Sequence, residues 1–196
     1  MRSAPGLGDL DETALLRAVL ADPVCRSVLE RAPQLGLADW WLTGGAVFQN
    51  VWNAVEGRPP GYGVNDYDLF YFDDADLSSE AEDRVITAAA GLFHDVAATV
   101  EVRNEARVHL WYEQRFGVPA VQFSSATDAI DAFASTTCCV GLTCDSTGLR
   151  VYAPQGLTDV FAMHLRPGRR LAPQHVYDAK VAQYKARWPS LTSEPW

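Results

Sequence analysis

The sequence predicts an α/β (α+β) fold, a mixed β-sheet flanked by helices. Three observations carry this. A short apolar stretch, Trp40-Trp41-Leu42-Thr43, stops at Gly44-Gly45 and opens directly into a segment of helical period. A second run, Leu69-Phe70-Tyr71-Phe72, follows two aspartates and has apolar side chains on both faces, as a central, doubly covered strand does. Helical periodicity recurs before, between and after these runs, so strands alternate with helices. With 196 residues, 48% hydrophobic and 21% charged, the chain has the size and composition of one globular domain.

Residues 1–38 read as an N-terminal helical arm and residues 39–196 as the main domain, the whole forming one unit. The first eight residues, with Pro5, Gly6 and Gly8, form a loose arm. Asp9 or Asp11 caps a helix through Leu15, Leu16, Val19 and Leu20. Pro23 interrupts, and a second short helix through Val28 and Leu29 ends near Pro33. A strand over 39–43 leads to a helix over 46–56 whose buried side carries Val47, Phe48, Val51, Trp52 and Val55. Residues 58–63 hold two prolines and two glycines and form a loop. The strand over 66–72 is closed by Asp73, Asp74 and Asp76. Ser79 and Glu82 then fit a capping box for a helix reaching His94. Residues 96–104 read as a strand and 106–112 as another antiparallel to it. A helix over 125–134 follows. Strands over 138–143 and 149–152 make a hairpin across Asp145-Ser146-Thr147-Gly148. Short helices over 157–163 and 173–187 finish the chain.

Charge and motif content exclude several functions. A net charge of −9 disfavours broad non-specific binding to nucleic acid. Charge is uneven, however: Arg166, Arg169, Arg170, Lys180, Lys185 and Arg187 face one acid, Asp178, between positions 163 and 188. That stretch is either a solvated helix face or a contact for phosphate or RNA. No apolar run approaches the ~20 residues of a membrane span, and the N-terminus does not read as a signal peptide, so a cytoplasmic protein is expected. Cys25 and Cys144 follow no metal spacing, and the adjacent Cys138 and Cys139 read as reduced, buried strand residues. The first lysine is Lys180, so there is no P-loop. An EF-hand starting at Asp66 fails, with Tyr71 and Leu77 where glycine and glutamate are needed. The nucleophile elbow of serine hydrolases is absent. In dehalogenase-type phosphatases an apolar strand leads into Asp-x-Asp, whereas here the loop stretch Gly61 to Asn65 leads in and the apolar run follows.

Asp66 and Asp68, two apart on a strand, present their carboxylates to one face. Like charges that close call for a cation, and hard oxygen ligands suit magnesium, with manganese as its substitute. Glu101, between Val100 and Val102, is the first candidate for a third acid and Glu105 the second. Gly44 and Gly45, where a strand meets a helix, let backbone N–H groups approach a phosphate. Thr43, Asn65 and Arg58 flank these motifs and complete the candidate nucleotide-binding set. Arg58 and Tyr62 lie on the loop, and Arg103, Arg107 and His109 follow Glu101. Any of these can meet a triphosphate or an acceptor, or serve structure alone. His94, His164 and His175 have no evident partners.

Leu42-Thr43-Gly44-Gly45, then Asp66-Tyr67-Asp68-Leu69, then Val100-Glu101-Val102 resembles the pattern of the nucleotidyltransferase superfamily. More closely, the stretches 43–50, 65–72 and 104–112 are similar to a bacterial family of largely uncharacterised nucleotidyltransferase-like proteins, over roughly Trp40 to Trp188. The resemblance implies a nucleotidyltransferase-like sheet and a metal-dependent transfer of a nucleoside monophosphate from a nucleoside triphosphate. It places the β- and γ-phosphates near Gly44 and Gly45, magnesium on Asp66 and Asp68, and a second metal shared with Glu101. It leaves the hydroxyl acceptor open among small molecules, proteins and tRNA ends. The interval from Gly45 to Asp66 is longer than the superfamily's usual spacing, so residues 57–65 are expected to elaborate over the site. The alternative is a non-catalytic module that binds a nucleotide or a partner on the same fold.

Overall fold

The structure, a computed structural model, describes residues 7–196; the start of the expected loose arm lies outside them. Helix α1 (Leu7–Ala21) buries Leu15, Ala18 and Val19. Because it begins at Leu7, Asp9 and Asp11 lie within it rather than at its cap. Pro23 does not merely interrupt. It occupies the first turn of α2 (Pro23–Arg31), where its missing N–H costs nothing, and Asp22 caps that helix by accepting from Val24 N at 2.9 Å. Strand β1 (Trp40–Thr43) enters α3 (Gly45–Glu56), which stops at Gly57 in the left-handed region. Val55, expected on the buried side, is 49% exposed.

Strand β2 (Asp66–Tyr71) is followed by α4 (Ser79–Leu92), capped by Ser78 rather than Ser79. Glu82 does not complete a capping box. It accepts from Asn104 N at 2.9 Å and pairs with Arg107. Strand β3 (Thr99–Asn104) ends where Asn104 caps the following turn and bonds Asp73 through both its amide groups. The strand expected over 106–112 is instead a 3-10 helix, Glu105–Leu110. Ala106, Val108 and Leu110 alternate like a strand, but a three-residue turn buries Glu105, Ala106 and Val108 and leaves Leu110 56% exposed.

Short helices α5 (Tyr112–Phe116) and α6 (Ala126–Ile130) lead to a 3-10 turn at Thr136–Cys138. Cys138 and Cys139 are buried but lie before the strand, and all four cysteines are free. The expected hairpin is β4 (Gly141–Asp145) and β5 (Gly148–Tyr152), closed by the Asp145–Gly148 pair. Then come α7 (Thr158–Phe161), β6 (His164–Leu165), α8 (Gln174–Arg187) and β7 (Thr192–Ser193).

The sheet is mixed and runs β3-β2-β1-β4-β5. Only β2 and β3 pair in parallel within it. One face, with Leu42, Tyr67, Leu69 and Val102, packs on the principal core beneath α1 to α4. The other, with Trp41 and Phe70, meets α6 and a smaller apolar cluster. This second face carries the aspartates.

The packed layers are tied by a buried carboxyl, Asp22, that no sequence motif singles out. Asp22 is 1% exposed, and its Oδ2 accepts from Asn50 Nδ2 of α3 at 3.0 Å and from the Tyr67 hydroxyl of β2 at 2.8 Å. Burial and the neighbouring Asp22 raise the Tyr67 phenol above its ordinary range. Asp22→Ala strands the Tyr67 hydroxyl, leaves Asn50 Nδ2 with Ala46 O and Cys25 Sγ, and removes the α2 cap. It should cost about 3 kcal/mol or more, read as a lower urea midpoint at unchanged slope.

Candidate active site

The antiparallel register of β1 and β2 sets Thr43 opposite Asp68, which brings the glycine turn onto the acid pair. Gly44 has φ 64° and ψ −149°, a region essentially confined to glycine. A Cβ there would overlap the Asp68 Oδ2, and one on Gly45 would overlap the Gln49 side-chain amide. The Asp68 carboxylate therefore rests against bare backbone at the start of α3. Asp66 and Asp68 line one cavity of about 620 Å³, together with Gly44, Gly45 and Asn65.

Burial pushes the Asp68 carboxyl up to about 7, helped by Asp66 and Glu101 and opposed by Lys180 and Arg103. Glu101 is the register neighbour of Asp68 on β3. Its side chain is 39% exposed, pairs with Arg103 at 3.4 Å and does not line the cavity. Among the described residues no group of three or more His, Cys, Asp or Glu side chains is arranged to hold a metal. Glu105 behaves differently. It is 5% exposed, lines the cavity, and its carboxylate makes no hydrogen bond or ion pair with the described residues. Burial, then the charge of Asp68, raises it to about 8, with Arg103 opposing.

Other residues singled out in the sequence are placed elsewhere. Thr43 is fully buried and donates its hydroxyl to Val140 O at 2.7 Å, buttressing β1 from beside Asp68. Arg58 pairs with Glu56 and lies over the Tyr62 ring, outside the cavity. The 57–65 loop is not suspended over the site. Asn50 and Asn53 bond its Gly61 N–H and Tyr62 carbonyl, and Tyr62 and Gly63 pack on Trp188. Asn65 alone of that loop reaches the cavity, where it accepts from Arg187 at 3.3 Å. Arg103 lines the cavity, whereas Arg107 is held by Glu82 and Leu77 O. His94 meets Gly91 O, and His164 meets Thr192 and Glu194. Neither these two nor His109 and His175 lines the cavity.

The basic stretch resolves into two roles. Arg166 pairs with Asp159 and Glu194, and Arg170 with Asp128, as structural ties. Val176, Lys180, Gln183 and Arg187 recur at helical spacing and turn one face of α8 into the cavity. An aromatic cluster of Phe48, Trp52, Tyr184 and Trp188 fixes that helix to α3, with ring centroids 4.7–5.5 Å apart along the chain of contacts. Sequence reading noted the cations but not this face, nor Gln49, whose buried Oε1 has no partner. The period of 176, 180, 183 and 187 was the available signal.

The cavity is graded. Asp66, Asp68 and Phe70 follow one another along the cavity side of β2: Asn65 beside Asp66 bonds Arg187, Gly44 rests on Asp68 and Lys180 acts on it, and Phe70 packs on Phe133 and on the cluster of Tyr112 and Phe123. Such a site can cradle phosphates on the α3 N-terminus and α8 cations beside paired carboxylates.

Comparison with known proteins agrees with this geometry. A solved NMR structure described as revealing "a CCA-adding enzyme head domain" matches with a TM-score of 0.74, 22% identity and coverage of 93% of this chain and 95% of that one. At that identity the likeness is one of fold. No curated protein matches in sequence. The family model described as "Nucleotidyltransferase" matches residues 30–193, which include β1 through β7 and both aspartates. With the glycine turn, the acid pair and the mixed sheet all inside the matched span, the chain belongs to that nucleotidyltransferase family.

Proposed function

We propose that this protein transfers a nucleoside monophosphate from a nucleoside triphosphate to an acceptor hydroxyl, with a divalent cation held by Asp66 and Asp68. The supporting observation is the seating of the Asp68 carboxylate on the Gly44 backbone, which unites a phosphate cradle and a cation site. The donor set fits magnesium or manganese: two neighbouring hard carboxylates, one pressed toward protonation by burial and by its neighbours. Magnesium commonly takes one or two protein carboxylates and completes its shell with waters and substrate phosphates. Glu101 is the third carboxylate available to a second ion. When bound, the cation would polarise the α-phosphate and stabilise charge on the attacking and leaving oxygens. The residues do the positioning. Gly44 and Gly45 offer N–H groups, and Lys180 and Arg187 balance phosphate charge from α8. Gln49 and Asn65 supply further polar contacts.

The test is thermal stabilisation by magnesium with each nucleoside triphosphate, followed by pyrophosphate release across an acceptor panel. A triphosphate at about 100 times its dissociation constant should add about 2.7 kcal/mol, roughly 5–10 °C in Tm. Asp66→Ala should abolish both signals. Stabilisation without pyrophosphate release would favour the non-catalytic, nucleotide-binding alternative; absence of both would overturn the reading. Lys180→Met should raise KM for the triphosphate threefold to tenfold and leave kcat nearly unchanged, since its exposed ammonium binds ground and transition states alike.

A further inference from the structure

Two features of the cavity are left unused by phosphate and cation. One is the apolar end, where Phe70, Val108, Tyr112 and Phe123 form walls, with Trp111 and Arg115 also lining it. The other is Glu105, nineteen-twentieths buried and without a hydrogen-bonding or ionic partner among the described residues. A lone carboxyl against apolar walls is costly to bury, and a ligand bearing a donor would satisfy it. Aromatic faces beside a carboxyl suit a flat ring that carries a hydroxyl or an amine.

The cavity's gradient says which ligand this is. In nucleotidyl transfer the attacking and leaving oxygens lie roughly in line across the phosphorus. The leaving pyrophosphate belongs with Lys180, Arg187 and the glycine turn. The incoming hydroxyl then approaches from the opposite side of the acids, the side of Phe70 and Glu105. Building on the transfer reading above, we propose that the apolar end is the acceptor site and that the acceptor is a small molecule with an apolar or aromatic body and a hydroxyl or amine donor that reaches Glu105. The acceptor oxygen bonds to the α-phosphorus as the bond to the pyrophosphate oxygen breaks. Pyrophosphate leaves with that electron pair, and the hydroxyl proton passes to solvent. The net charge of −9 also makes this molecule a poor host for a long polyanionic acceptor.

Ligand-observed NMR on the full chain tests this with phenol, benzyl alcohol, tyramine and toluene as probes. The three donor-bearing rings should bind, with toluene at least tenfold weaker. Glu105→Leu, which removes a buried unpartnered carboxyl and so should fold, should invert that order. Ala132→Phe, which fills the apolar end, should abolish binding of all four while magnesium–ATP stabilisation persists. Binding of magnesium–ATP with no probe binding would overturn the acceptor assignment alone. Displacement of tyramine by ATP would make this the nucleobase site, and displacement by a tRNA acceptor stem would make the acceptor an RNA; either overturns the proposal. Tyramine binding without any effect of magnesium–ATP would remove the transfer reading and the acceptor role with it, leaving a small-molecule site.

Discussion

Asp68→Asn is expected to lower nucleotidyl transfer at least about 10³-fold while making the metal-free protein more stable. The loss follows from removing one of the two carboxylates proposed to hold the cation, an interaction worth several kcal/mol in the transition state. The gain follows from where the carboxylate sits. Burial, then Asp66 and Glu101, raise it to about 7. A carboxyl whose folded pKa lies above its unfolded one destabilises the fold when ionised. The difference is absent below the unfolded value near 4, grows as pH rises, and is complete above about 7. Asn carries no such charge. At pH 8 the variant should therefore be more stable by something on the order of 2–4 kcal/mol, with the two proteins converging near pH 4. Urea unfolding at pH 4, 6 and 8 without metal checks the stability half, and pyrophosphate release checks the other. A variant that loses activity and stability together would mean that Asp68 supports the fold rather than a cation.

This coupling explains why part of the site is legible in sequence and part is not. Gly44-Gly45 and Asp66-Tyr67-Asp68 are local patterns: each needs only chain direction and strand alternation to be read. Their meeting depends on β1 and β2 running antiparallel with Thr43 opposite Asp68, a pairing for which the sequence supplies only the order. Glu101 was readable as an acid on a neighbouring strand, and β3 sets it in register with Asp68. Its exposure and its pairing with Arg103 were not, because those depend on what covers the edge strand β3. Glu105 opens a 3-10 helix that its own sequence disguises, since Ala106, Val108 and Leu110 have strand-like spacing. Lys180 was the hardest to place. It lies far along the chain from the acids, and only the packing of Trp52 and Tyr184 between α3 and α8 turns it toward Asp68. The Asp22 network escaped for a similar reason: its partners Asn50 and Tyr67 come from two other elements.

Gly44→Ala should cost both stability and transfer. Two costs combine at this position. The backbone stands at φ 64° and ψ −149°, where any side chain costs roughly 1–3 kcal/mol. The new Cβ would also overlap the Asp68 Oδ2, so either the carboxylate or the turn must move. The expected result is a fall of about 2–3 kcal/mol in stability, roughly 5–10 °C in Tm, with transfer down about 100-fold or more. Gly57→Ala at the other end of α3 separates these effects. It has nearly the same φ, 67°, but open space around the Cβ position. It should lose about 1 kcal/mol through backbone strain and keep full activity. If the two variants lose activity equally, strain in α3 and not the Gly44–Asp68 contact limits the site. If Gly44→Ala keeps its activity, the carboxylate does not work from the position in which it rests on the turn. The predicted pattern is a shared stability loss and, of these two variants, an activity loss at Gly44 alone, because only there does the added methyl meet the Asp68 carboxylate.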